Sequence, residues 1–447
     1  MSEGSRLSEV VGHLAASRRE PVWITVGTLI DGTSTTPLRG AHLVYDAEAI
    51  LHVGDRDHPP PGECLAPGRS EPDVRLPGCT VLPGLFDAHV HLVLDGGELD
   101  PGRRRRHLRR PAPELLADAR RRAQCLTGLG VMGVRDAGDT RGVGLALSRE
   151  CRSRSGHTAE PALPWVESPG PAIHHRGSYG SFIGEPIEDH PSLEACVESR
   201  IRAGAQRVKL MVSGVIDFEK GRVSVPPQMS AAEVRTLAAA ARARGRAAFA
   251  HASGREGIEN ALAGDVESVE HGFFVTHEQL ARMRDRQIAW VPTFFPVRAQ
   301  LDHADRLGWR QPTIGHLQRI LDEHAEDLRH AVETGVTVIA GSDAGSYGVP
   351  HGRGLLRELE LMERAGMRSL DVLNAATGVS ATHLGLGDRM GCLRPGRRPR
   401  MILTERDPLE TVTHLGRDAV GLFDGRVLRA AEPEAPGLGC GADHEVS

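Results

Sequence analysis

From about residue 79 onward, short apolar runs alternate with longer segments of helical periodicity. The runs are TVLPGLFDAH at 80–89, VMGVRD at 131–136, ALPWVES at 162–168, RVKLMV at 207–212, RAAFAH at 246–251, VESVEHG at 266–272, IAWVPTF at 288–294 and VTVIAGS at 336–342. Helix signals fall between them. Ser230 with Glu233, and Thr276 with Gln279, have capping-box spacing, and Gly245 and Gly335 stand where helices should stop. Eight strands alternating with helices predict an α/β fold, a closed parallel (β/α)8 TIM barrel over 79–394. Residues 1–78 differ, with strand-like PVWITVGTL, AHLVYD and AILHVG broken by turn signals. After Pro395, RMILTER and AVGLFDGRVLRA read as strands again. A small β-sandwich domain built from both chain ends, 1–78 with 395–431, is therefore expected, followed by a mobile tail at 432–447.

Composition narrows the class. The 447 residues are 40% hydrophobic and 25% charged, ordinary globular usage that argues against a disordered, collagenous or coiled-coil chain. A formal charge of −5 disfavours coating of nucleic acid or of an anionic membrane, so a small-molecule substrate is expected. No run approaches the roughly 18 apolar residues a membrane span needs, and the N-terminus lacks a basic region followed by an apolar stretch. The seven cysteines are scattered and without CxxC, which suggests neither a disulfide framework nor a thiolate zinc site and places the protein in a reducing cytoplasm. No interface is readable, and a homo-oligomer stays open. Of the 54 Lys and Arg residues only Lys209 and Lys220 are lysine. A lysine in an apolar strand of such a chain calls for a reason, because lysine can lose its proton when buried and arginine cannot.

Reactive side chains of an α/β barrel gather at the C-terminal ends of its strands. The polar residues there are His89 and His91 on the first run, Lys209 on the fourth, His251 on the fifth, His271 on the sixth and Asp343 just past the eighth. All are metal-ligand types. Period two puts His89 and His91 on one face of a strand, where two imidazoles can hold one ion. Such a pair alone is weak evidence in a chain with 22 histidines; the gathering of the whole set is not. Lys220, beside Glu219 in a polar segment, reads as a solvated lysine.

The chain resembles the amidohydrolase superfamily of metal-dependent hydrolases through LIDGT at 29–33, VLPGLFDAHVHL at 81–92, RVKLMVSG at 207–214, FAHASGREGIENAL at 249–262, VESVEHGFF at 266–274, GSDAG at 341–345 and PHGRGLLRELELM at 350–362. The VKLMVSG and PHG segments are most similar to the carboxylated-lysine group of prolidase-like and Xaa-Arg carboxypeptidase-like dipeptidases, and several motifs also resemble imidazolonepropionase-like enzymes. The resemblance implies two divalent ions, usually zinc. His89, His91 and Asp343 would hold the more buried ion and His251 and His271 the more exposed one, with Lys209, carboxylated by carbon dioxide, bridging them. A carbamate on a buried lysine is kept only where cations offset its burial. The implied reaction is attack of a metal-bridging hydroxide on the carbonyl of a C–N bond in a dipeptide or N-acyl amino acid, with Asp343 moving the proton.

The loops should choose the substrate. PAIHHRGSYGSFIG after the third run departs from the prolidase-like pattern and offers His174, His175, Arg176 and Tyr179 as a grip for a carboxylate. VIDFEKGRVSVPPQM after the fourth also departs, which puts dipeptide specificity in doubt. His351 follows Asp343 and could orient substrate or a loop. RRRRHLRR at 103–110 reads first as a solvated face and second as a device steering an anionic substrate. Two alternatives remain: a hydrolase opening a cyclic amide, imidazolone or lactone ring, and a non-catalytic metal-binding scaffold.

Overall fold

The computed structural model describes residues 7–17, 20–153, 162–416 and 419–429. The tail expected at 432–447 lies outside the described residues, as do residues 1–6 of the expected β domain. Both chain ends meet in one sheet. Strands β1 (Val22–Leu29), β2 (Leu38–Tyr45), β3 (Ile50–Gly54) and β4 (Val74–Pro83) join β16 (Arg400–Thr404), β17 (Val420–Phe423) and β18 (Arg426–Arg429) in the order β18-β17-β16-β4-β1-β2-β3. β4 runs parallel to β1 and antiparallel to β16, with Leu82 opposite Ile402. Alternate residues Ile24, Leu43, Leu76, Val81 and Leu403 face a core of their own, covered by Leu7, Val11 and Leu14 at the start of the described chain. The Tyr45 hydroxyl donates to the Leu14 carbonyl at 2.8 Å and ties that cover down.

The larger body is a ring of parallel strands wrapped by helices. β5 (Leu85–Val90), β6 (Val131–Asp136) and β7 (Trp165–Glu167) form one arc. The second runs β15-β14-β13-β10-β8-β9, from β8 (Ala172–His174), β9 (Gly184–Pro186), β10 (Arg207–Met211), β13 (Ala247–Ala252), β14 (Ser268–His271) and β15 (Ala289–Val291). β11 (Ile216–Asp217) and β12 (Arg222–Val223) make a small hairpin beyond β10. At one seam, Gln206 N–H donates to the Ser168 carbonyl at 3.1 Å. At the other, segment 336–344 accepts from Trp290 N–H through Thr337, accepts from Ala88 N–H through Ala340 and donates from Asp343 N–H to His89. This is the eighth barrel segment, although only isolated bridges, Trp290 to Val338 and Val90 to Ala344, mark it as strand. It approaches β5 so closely that a Cβ on Gly341 would lie 2.9 Å from that of His89.

One predicted strand is in fact two. The run at 80–89 breaks at Gly84, where the chain leaves the terminal sheet for the barrel. Gly84 N–H still bonds Arg400 of β16, while Leu85 N–H bonds Gly130 just before β6. A Cβ at Gly84 would meet Met132 Cγ at 2.0 Å, so the crossing needs glycine.

Both predicted capping boxes form. Ser230 caps the helix Ala231–Arg242, Thr276 caps His277–Asp285, and each N3 side chain returns a hydrogen bond. Ser230→Ala is expected to cost about 1 kcal/mol, read as a lower urea midpoint, because one backbone donor of the first turn loses its acceptor. No helix among the described residues is long and apolar enough to cross a membrane.

Candidate metal centre

The C-terminal ends of the barrel strands open on a cavity of about 600 Å³, whose lining includes His89, His91, Lys209, His251, His271 and Asp343. All six are buried. His89 Nε2 and His91 Nε2 lie 3.7 and 3.4 Å from Asp343 Oδ1, and one ligand atom from each of these three residues fits within 4.8 Å of the others. The His251 ring centroid is 4.6 Å from that of His271, which is 5.0 Å from that of His89. Lys209 Nζ is 4.8 Å from the centre of the Phe249 ring and, like Asp343 Oδ1, is buried with no hydrogen-bond partner. His271 and Asp343 both have left-handed backbone, with φ of 67° and 56°. Such conformations cost roughly 1–3 kcal/mol each and persist where surrounding structure over-determines them.

Each imidazole is fixed from behind. His89 Nδ1 bonds Glu270 Oε2 at 2.6 Å, His91 Nδ1 bonds the Gly138 carbonyl at 3.4 Å, His271 Nδ1 bonds Thr293 Oγ1 at 2.7 Å, and His251 uses Nε2 on the Gly214 carbonyl at 3.4 Å. One ring nitrogen of each is left for the cavity, the arrangement expected of metal-bound histidines. Glu270 is clamped in turn by Arg135 Nη2 at 2.8 Å and Ser268 Oγ at 2.5 Å. Asp87 accepts from Ser342 N–H at 2.8 Å and Ser342 Oγ at 2.5 Å, coupling the His89 strand to the turn that carries Asp343.

Burial, followed by the Lys209 charge, pushes His91 and His251 down to about 3. Burial also holds His89 and His271 well below the usual imidazole range, so the rings are neutral, as ligands must be. Burial lowers Lys209 to about 8, although the Glu270 carboxylate opposes the shift. Asp343 is raised to about 7 by burial, while the Ser346 hydroxyl, 2.8 Å from Oδ2, acts the other way. Four neutral imidazoles, a carboxylate with one unpartnered oxygen and an unpartnered amine fit a bound divalent metal.

A family model described as the amidohydrolase family matches residues 80–427. The chain belongs to the amidohydrolase family. It is a hydrolase acting on carbon–nitrogen bonds, and this amidohydrolase is 26% identical over 411 residues to an ochratoxinase of Aspergillus niger, covering 87% of this chain and 82% of the relative. Its fold matches the crystal structure of a Xaa-Pro dipeptidase with bound methionine in the active site, with TM-score 0.75, 24% identity, and coverage of 92% of this chain and 100% of the other. The crystal structure of the A. niger ochratoxinase superposes with TM-score 0.72 at 24% identity, covering 92% and 96%.

The weaker candidates of the amidohydrolase fare unevenly. Tyr179 lines the cavity, its ring 5.3 Å from that of His251. The other three residues of its loop do not. His174 turns Nδ1 onto the His175 carbonyl, His175 bonds Glu188 and Glu233, and Arg176 is exposed and paired with Asp189. Nearby carboxylates occupy His175 and Arg176, the side chains that the sequence offered as a grip. His351 is buried behind the centre, its Nε2 on the His91 carbonyl at 3.1 Å, where it supports the backbone of a candidate ligand. Arg135, Glu270, Thr293 and Asp87 were missed. The signal for Arg135 was present, an arginine within the apolar run VMGVRD.

RRRRHLRR lies largely on the helix Pro101–Leu108 at the cavity mouth. Arg103, Arg105, Arg106 and Arg109 are exposed, as a solvated face requires. Arg104 is turned inward.

Proposed function

We propose that this amidohydrolase cleaves the amide bond of an N-acyl amino acid or dipeptide carrying a bulky apolar group, using two divalent ions, zinc being the expected metal. His89, His91 and Asp343 would hold one ion and His251 and His271 the other, with Lys209 carboxylated between them. The observation that carries the reading is the pair of buried, unpartnered atoms Lys209 Nζ and Asp343 Oδ1 among four imidazoles. A free amine and a free carboxylate oxygen at the closed end of a cavity are costly unless something occupies the space between them. Bound divalent ions supply a water ionised near neutral pH and polarise the scissile carbonyl.

The chain's own residues supply the rest. Lys209, depressed to about 8 by burial, reaches the neutral amine form that adds carbon dioxide. Asp343, oriented by Ser346 and raised to about 7 by burial, is suited to take a proton at neutral pH and return it to the leaving nitrogen. Tyr179, Phe182, Phe218, Phe273, Trp309 and Tyr347 line the cavity and offer a bulky acyl or side-chain group apolar walls. The methionine held by the similar dipeptidase structure supports an amino acid as one half of the substrate. The described cysteines, Cys64, Cys79, Cys125, Cys151, Cys196 and Cys392, are free thiols, which supports a cytoplasmic location.

Protein loaded with zinc and bicarbonate is expected to release the free amino acid from N-acyl aromatic amino acids, and a chelator is expected to abolish that release. Metal analysis of the loaded protein should give two equivalents. Turnover of ring substrates only would replace this reading with the ring-opening one, and two bound metals without any turnover would leave a scaffold.

A further inference from the structure

The cavity contains one inward-turned guanidinium that forms no ion pair with a carboxylate among the described residues. Arg104 lines the chamber together with His91 and Asp343, its guanidinium 4.2 Å from the centre of the Tyr347 ring. Nη1 donates to the carbonyls of Asp95 and Glu98, the latter at 3.2 Å, and Nη2 donates to the carbonyl of Gly345 at 2.6 Å. A guanidinium has five N–H donors. Three go to these carbonyls, leaving the Nε hydrogen and one on Nη2, donors on neighbouring nitrogens that meet no acceptor among the described residues. Arg104 also forms no ion pair among them, although exposed Arg103 pairs with Glu98 and Arg110 pairs with Glu114 and Asp118. Three backbone carbonyls and an aromatic ring hold it rigidly, and the carboxylates of Asp95, Glu98 and Asp343 act on its charge only from beyond ion-pair distance, which leaves it preorganised for an incoming anion.

Its position selects which end of the substrate it meets. Gly345, whose carbonyl holds Nη2, is two residues past Asp343, the group assigned to protonate the leaving nitrogen. The guanidinium is therefore tied to the leaving-group side of the centre. The other basic side chains lining the cavity suit the task less well: Lys209 sits among the candidate ligands, Arg105 is exposed, and His107, whose burial disfavours its charged form, bonds the Val93 carbonyl at 2.9 Å.

We propose that Arg104 anchors the free α-carboxylate of the leaving amino acid, making this amidohydrolase selective for N-acyl amino acids and dipeptides over neutral amides. This rests on the amide-hydrolase reading and adds the anionic group that the substrate must carry. It also gives one member of the RRRRHLRR run a role distinct from its solvated neighbours. The carboxylate is remote from the bond that breaks, so its contact with Arg104 is the same in ground and transition states. Its loss should therefore appear in KM and leave kcat nearly unchanged.

The test compares wild type, Arg104→Met and Arg104→Lys on N-acyl-phenylalanine and on the matched N-acyl-phenethylamine, which lacks only the carboxylate. Binding of phenylalanine and of phenethylamine to the metal-loaded proteins is measured by calorimetry alongside. Wild type is expected to prefer the acid in KM and in binding by roughly 10- to 100-fold, the scale of a charge-assisted bidentate contact. Arg104→Met should erase that preference by weakening the acid alone, with kcat within about threefold, and Arg104→Lys should keep part of it. Equal weakening of acid and amine, or a preference that survives Arg104→Met, overturns the anchor. If Arg104→Met does not fold, Arg104→Lys decides: an unchanged preference overturns the proposal and a reduced one supports it. Carboxylate-selective, Arg104-dependent binding without turnover would uphold the anchor while refuting the hydrolase reading.

Discussion

Lys209→Ala is expected to lower hydrolysis by roughly 10³-fold or more, the scale of removing a group that organises charge in the transition state, and short carboxylic acids such as acetate or propionate should restore part of the activity. Alanine removes the amine and with it any carbamate, and leaves beside Phe249 a space that a small carboxylate can enter to present two anionic oxygens. Stability should move the other way. Lys209 is 1% exposed and its Nζ has no hydrogen-bond partner, so removing it from the metal-free protein takes away a desolvation cost that outweighs the packing lost against Phe249 and leaves the urea midpoint unchanged or raised. A lysine kept for structure would give the reverse: lower stability with hydrolysis intact. That result, or a loss of activity no carboxylate rescues, would remove Lys209 from the bridging role.

The barrel and the candidate ligands were legible because they obey local rules. Side-chain alternation placed His89 and His91 on one face, capping boxes marked helix starts at Ser230 and Thr276, and polar residues ending apolar runs pointed to one mouth. What the sequence hid depends on partners far along the chain. Gly84 divides one apolar run because β4 must pair with β16 while β5 pairs with β6, and neither partner is visible in the run itself. Segment 336–344 is held by scattered backbone bonds on both sides, so its apolar pattern reads as a strand more regular than the one that forms. The substrate grip was sought in the loop of His175 and Arg176, whose side chains are held by Glu188, Glu233 and Asp189. Arg104 was hidden for the opposite reason: in a run of like charges no local signal marks the member that turns inward.

Arg135→Met should be among the most destabilising single changes in the chain, by roughly 3–5 kcal/mol, because it breaks a fully buried ion pair by removing one partner. Arg135 and Glu270 are both 0% exposed and 2.8 Å apart. The arginine also donates to the Ala88 carbonyl at 2.7 Å, to Glu267 at 3.2 Å and to Ser268 Oγ at 3.0 Å, so its loss frees acceptors on the adjacent β5 and on the β14 segment of the other arc at once. The damage should reach the metal centre through one atom pair, Glu270 Oε2 on His89 Nδ1 at 2.6 Å. With Glu270 no longer clamped, the His89 ring loses its fixed orientation, and metal affinity measured by chelator competition is expected to fall 10- to 100-fold, the usual effect of removing such a supporting group. A second substitution separates the two effects. Arg135→Met combined with Glu270→Gln removes the stranded charge and should recover part of the stability. It should not recover the affinity, because a neutral amide polarises His89 less than a carboxylate does. Stability within 1 kcal/mol of wild type for Arg135→Met, or metal affinity restored in the double variant, would show that Arg135 fills space beneath the centre without holding it in place.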